Sequence, residues 1–185
     1  MIDEDRFWQI IAESRQSAAA LNPATEDDFH TAQIDALHRL LLELPPAEIA
    51  AWQFRFEYFH RLAYRWDIWG AAYWLGGGCS DDGFMDFRSC LVSLGKEFYF
   101  QVLENPDSIA DLVDRIDVPY MQSEGFQYTA SKAYEEKTGG QSLPDPEQPR
   151  TPLGDPTGED FDFEDDDIMR QRFPKLVAKY PEMGD

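Results

Sequence analysis

Apolar residues recur at three- and four-residue steps along most of the chain, the spacing that gathers them on one face of an α-helix. Over residues 3–20, Phe7, Ile10, Ile11, Ser14 and Ala18 share such a face, and Asp3, Glu4 and Asp5 suit the positive end of the helix. Asn22-Pro23 closes this segment. Thr25 then reads as an N-cap with Asp28 three residues on, ahead of a stripe of Ile34, Leu37, Leu41 and Leu44. Pro45-Pro46 stops that helix and opens the next. In this third segment Ile49, Trp52, Phe56, Phe59, Ala63 and Trp66 align, with Arg55, Glu57, Arg61 and Arg65 on the other face. It either continues through Asp67 to Leu75 or kinks near Asp67, until Gly76-Gly77-Gly78 breaks it. Ser80 reads as the following N-cap, with Asp81 and Asp82 in the first turn, Phe84, Phe87, Leu91 and Leu94 as the buried stripe, and Gly95 just past the end. Short helices are expected over 96–104 and 106–114, irregular chain over 116–120, and a helix over 123–138 carrying Phe126, Ala130, Ala133 and Tyr134.

Beyond residue 138 the pattern changes. Residues 139–160 are rich in proline and glycine and read as a linker or an extended strap. The acidic run Glu164, Asp165, Asp166, Asp167 sits where a helix start favours negative charge. Ile168, Met169 and Phe173, then Leu176, Val177 and Tyr180 after Pro174, give a tail with an apolar side for docking. No alternating strand pattern and no internal repeat is present. The expectation is an all-α fold: a single domain of about seven or eight helices in a loose bundle. Residues 1–138 form its helical core, 139–163 an acidic linker or strap, and 164–185 a helical tail docked on the core.

Composition supports a packed chain and narrows its partners. Of 185 residues, 43% are hydrophobic and 14% aromatic, too apolar for a disordered segment. The formal net charge is -20 and the basic residues form no stripe, which argues against direct binding to nucleic acid and favours a protein partner, possibly basic. Charged residues begin at Asp3, with no secretory apolar core behind Met1 and no run near the roughly 18 residues of a membrane span. A cytoplasmic protein with no membrane partner is expected. Cys79 and Cys90 flank a predicted helix and would lie about 16 Å apart at ~1.5 Å per residue. A disulfide tolerates about 7 Å, so both are expected as free thiols.

The chemistry-bearing residues fall mainly between positions 66 and 88. Asp82 and Asp86 are four apart on one helix face, and with Asp81 they offer hard oxygens to Mg²⁺ or Ca²⁺. The plainer role for Asp81 and Asp82 is to stabilise the helix start. The triple glycine before that helix lacks the lysine of a phosphate loop, and a tight helix–helix turn explains it better. Cys79 or Ser80 at a helix N-terminus is a conceivable nucleophile, but the adjacent carboxylates oppose a thiolate, and only folding would bring His30, His38 or His60 near. Trp52, Trp66, Trp69, Tyr73 and Trp74 fit a core better than a pocket. Arg88, if buried, requires a partner, for which Asp67 and Asp86 are the candidates.

The run WGAAYWL from Trp69 to Leu75, followed by GGGCSDDGFMDFRSCL from Gly76 to Leu91, resembles a largely bacterial group, domain of unknown function 4240. Phe7-Trp8, NPDSIA from Asn105 to Ala110, Ala133-Tyr134 and RFPKL from Arg172 to Leu176 add to the resemblance, which covers roughly residues 1–138 and a C-terminal fragment. The group's pattern carries a tryptophan near position 90, where this chain has Cys90. No activity follows from the resemblance. Some of its members lie beside a WGR domain in larger proteins, one of them described as a regulator of molybdate metabolism, and this implies a regulatory or interaction role.

Together these readings favour a non-enzymatic, acidic binding or regulatory protein without a cofactor. It would hold its partner at a surface of Trp69, Tyr73, Asp81, Asp82, Asp86 and Arg88. Two alternatives remain: a metal-dependent hydrolase using Asp81, Asp82 and Asp86, and a nucleic-acid mimic that blocks a DNA-binding protein.

Overall fold

Helix starts fall where side-chain caps are available. In the computed structural model, which describes residues 2–111, 124–145 and 154–181, Asp3 accepts from the Arg6 amide at 2.8 Å and opens α1 (Glu4–Ala19). Thr25 and Asp28 close a reciprocal capping box at the head of α2 (Glu26–Leu42). Pro46 begins α3 (Pro46–Leu62). Ser80 Oγ accepts from the Gly83 amide at 3.2 Å to open α5 (Asp81–Ser93). The helix before it, α4 (Trp66–Gly76), ends on Gly77 in the left-handed region at φ 60°. The Gly78 amide then reaches back to the Tyr73 carbonyl at 2.9 Å, so the triple glycine is a helix-ending turn. After Gly95 come α6 (Lys96–Glu104) and a 3-10 turn (Pro106–Asp111).

The described residues form an all-α bundle with no strand. α1 packs along α2, and α8 (Thr129–Thr138) lies across α2 and α3. α5 packs against α3 and α7 (Glu124–Gln127). The centre is aromatic: the Phe7 ring lies 5.0 to 5.2 Å from Trp8, Trp52 and Phe59. Tyr99 joins the cluster and donates to the Phe59 carbonyl at 2.5 Å. Cys79 and Cys90 are both free thiols, and Cys90 is fully buried. No described helix is long and apolar enough to cross a membrane.

Two elements differ from the sequence pattern, and a third takes one of its two alternatives. The third apolar segment breaks near Asp67 rather than running on: α3 stops at Leu62 and α4 starts at Trp66. Thr157 holds the break open, its amide donating to the Tyr64 carbonyl and its carbonyl accepting from the Trp66 amide, both at 3.0 Å. Arg65 braces it through Asp67 and through the Leu103 carbonyl at 2.7 Å. The expected helix over 123–138 is two helices meeting at Tyr128. Gly125 weakens the run, and the Thr129 hydroxyl takes the Gly125 carbonyl at 3.1 Å. The expected helix over 106–114 is a 3-10 turn as far as Asp111. Its remainder and the expected irregular stretch 116–120 lie outside the described residues.

The tail forms α9 (Asp166–Arg172) and α10 (Pro174–Lys179), burying Met169, Phe173, Leu176 and Val177. The buried Asp107 carboxylate accepts from the Lys175 amide at 3.1 Å and the Leu176 amide at 2.9 Å, satisfying the open N–H groups of α10. Upstream of α9, Phe161 seats on Gly70, where a Cβ would come within 2.5 Å of its ring. Gly70→Ala is therefore expected to displace Phe161 and cost about 1–2 kcal/mol. Urea unfolding checks the cost, and faster proteolysis near Phe161 checks the displacement.

Candidate functional site

The apolar stripe of α3 turns Trp52, Phe56 and Phe59 into the core. On the flank of that stripe, Gln53, Glu57 and His60 recur at four- and three-residue steps and face α5 and α8. From α5 come Met85 and Arg88. Gln127, Tyr128 and Ser131 come from the α7–α8 junction, and Leu143 from the chain beyond. These side chains line a cavity of about 500 Å³, within the ~300–1,000 Å³ range of small-ligand sites.

Arg88 is 3% exposed at the base of this cavity. Its Nε donates to the Phe84 carbonyl at 3.2 Å and its Nη1 to the His60 carbonyl at 3.1 Å. The His60 carbonyl lies in the last turn of α3, where the Tyr64 amide turns to Arg61 instead, so Arg88 satisfies a helix-end acceptor and places a cation at the negative pole. The guanidinium also lies over Tyr64 and Phe84, at 4.7 and 4.9 Å from the ring centroids. Nη2 has no hydrogen-bond partner among the described residues. Burial lowers the Arg88 pKa to about 10, which still leaves a cation at neutral pH.

These contacts correct the expected partner. Among the described residues no carboxylate pairs with Arg88, because Asp67 is held by Arg65 and Asp86 accepts from Gln127 at 3.1 Å. A broken helix end and two aromatic faces stand in place of the carboxylate.

His60 is fixed by the same geometry. Its Nε2 lies 2.9 Å from the Met85 carbonyl, which can only accept, so Nε2 carries the hydrogen. Nδ1 is then the lone-pair nitrogen, and it accepts from Arg88 Nη1 at 3.3 Å. Burial, with the adjacent Arg88 cation, lowers the His60 pKa to about 4, so the ring is neutral at pH 7. Gln53 donates through Nε2 to Glu57 at 3.2 Å, while its Oε1 is buried without a partner. Such an acceptor costs about 1–3 kcal/mol where it is not matched.

The side chains singled out in the sequence separate in space. Arg88 alone of the six lines the cavity. Asp86 is half-buried and touches its wall through Gln127. Asp81 and Asp82 are exposed in the first turn of α5. Trp69 stacks between Trp66 and Phe84, at 5.6 and 4.8 Å, and donates to the Cys79 carbonyl at 3.0 Å, so it packs the glycine turn. Tyr73 lies half-buried 5.4 Å from Phe163. Trp69 and Arg88 meet the same two rings, Phe84 and Tyr64. Asp81, Asp82 and Asp86 are not gathered into a metal site: among the described residues no group of three or more His, Cys, Asp or Glu side chains is placed to hold an ion. Burial, with Asp81 and Asp86 nearby, raises the Cys79 pKa to about 11, so the thiol stays protonated.

Gln53 escaped the sequence reading, and His60 entered it only as a distant base for Cys79 or Ser80. The available signal was a pair of polar residues, Gln53 and His60, at the border between the α3 stripe and the charged face that carries Glu57 and Arg61.

A family model described as a protein of unknown function (DUF4240) matches residues 2–136. No curated protein and no solved structure matches the chain.

Proposed function

The chain belongs to the DUF4240 family, described only as of unknown function, and from that premise we propose a non-enzymatic binding protein of regulatory type whose ligand site is the cavity between α3, α5 and the α7–α8 pair. The observation that carries this reading is Arg88, a buried cation at the cavity base with no carboxylate partner among the described residues and one guanidinium nitrogen unengaged. The carbonyls and rings around the guanidinium carry only partial negative charge, and a bound anion supplies a full one.

The neighbouring groups favour holding over reacting. Both ring nitrogens of His60 are engaged, one donating to Met85 and one accepting from Arg88, so the imidazole orients the guanidinium and has no free lone pair for a general base. The net charge of -20 makes the exterior suited to a protein partner with a basic face, which would read the loaded state.

Non-denaturing mass spectrometry of the protein incubated with a small-metabolite extract tests the reading. A single retained adduct is expected, matching an unmodified component of the extract and lost in Ser131→Trp, which blocks the cavity mouth from an exposed position. Consumption of one component with appearance of a product would make the protein an enzyme and end this assignment.

A further inference from the structure

We infer that the cavity takes a small, singly charged carboxylic acid with an apolar or aromatic body and a hydrogen-bond donor elsewhere on it. This rests on the binding reading above and names the ligand class.

Each part of the description answers a group in the wall. Arg88 presents Nη2 while Nε and Nη1 are held by the Phe84 and His60 carbonyls, so the guanidinium is pre-oriented and loses little freedom on binding an anion. His60, neutral and tied on both nitrogens, adds no second positive charge. Arg88 is the buried cation in the wall, and the other two charged lining residues, the exposed Arg61 and the half-buried Glu57, are opposite in sign, so the site suits one negative charge. The surrounding charge of -20 disfavours a phosphate dianion more than a monoanion. Phe56, Met85, Tyr128 and Leu143 supply apolar wall for a ring or short chain. Gln53 lines the cavity, and its Oε1 is unpartnered and closed to water, so a ligand hydroxyl or amine satisfies it once the amide turns toward the cavity.

Thermal melts and titration calorimetry on the full chain test this with four probes: 4-hydroxybenzoate, benzoate, the uncharged 4-hydroxybenzyl alcohol, and inorganic phosphate. The two carboxylates are expected to raise the melting temperature, with 4-hydroxybenzoate binding more tightly, and the alcohol and phosphate to leave it unchanged. Arg88→Lys keeps the charge and loses the fork, and should weaken 4-hydroxybenzoate at least about tenfold. Gln53→Met should erase the preference for 4-hydroxybenzoate over benzoate. Ser131→Trp should abolish binding of both, which keeps the test valid if Arg88→Lys fails to fold. Equal binding of the alcohol and the acid, or no binding by either carboxylate, overturns the carboxylate assignment. In those cases phosphate or alcohol binding that Ser131→Trp removes leaves the cavity as a ligand site of another class. No binding by any of the four probes counts against both readings.

Discussion

Replacing Arg88 by methionine is expected to destabilise the fold by about 2–4 kcal/mol. Methionine has comparable length and keeps apolar contact with Tyr64 and Phe84, so the loss is electrostatic rather than a cavity. Two acceptors lose their donor: the His60 carbonyl at the end of α3 and His60 Nδ1. The Phe84 carbonyl, inside α5, gives up only an extra donor. Against this, the variant no longer buries a cation, and that relief keeps the cost below the ~3–5 kcal/mol of breaking a buried ion pair. Urea unfolding at pH 7 gives the difference. A variant as stable as the parent would mean that desolvation of the guanidinium outweighs its role at the helix end.

His60 is expected to remove about 3 kcal/mol of stability as the pH falls from 7 to 4. The sign follows from where the proton binds. The unfolded ring takes a proton near its ordinary 6.5, while the buried ring beside Arg88 does so only near 4. Between those values the unfolded chain binds more protons, so stability is full above about 6.5 and declines towards 4. Carboxylates titrate over part of the same range, so the term is read by difference. Denaturant unfolding of the parent and of His60→Gln at pH 7 and pH 4 should show a fall larger by about 3 kcal/mol in the parent. Equal falls would place the His60 ring in solvent and undo the geometry drawn around Arg88.

What the sequence makes legible is local. The capping box at Thr25 and Asp28, the Ser80 cap and the glycine turn follow from short-range chemistry that any helix end must satisfy. The apolar stripes follow from the helical period. The break between α3 and α4 is not local. Thr157 lies more than ninety residues from Tyr64 and satisfies its carbonyl and the Trp66 amide, so periodicity alone does not choose between a continuous helix and a break. The same break exposes the helix-end carbonyl that Arg88 reaches, which is why a carboxylate partner is the wrong expectation for a buried arginine here. Phe161 on Gly70 is illegible for the same reason: a glycine inside an apolar helix reads as a weakness until the ring that needs the space is placed.

The candidate site divides along the same line. Arg88 stands out in the sequence as a charge on an otherwise apolar helix face. Its companions Gln53 and His60 sit on the edge of the α3 stripe, where a period of 3.6 assigns a residue to neither face. Asp81 and Asp82 attract notice as a pair, yet the helix start accounts for them.

The most direct test of the account is the Nε–H resonance of Arg88 in arginine-selective ¹⁵N NMR, followed while 4-hydroxybenzoate is added. The cavity reading predicts a saturable shift of that resonance, accompanied by the Gln53 side-chain amide and absent in Ser131→Trp. An Arg88 signal that stays fixed while backbone amides around Asp81 and Asp82 move would contradict it and return the site to the start of α5.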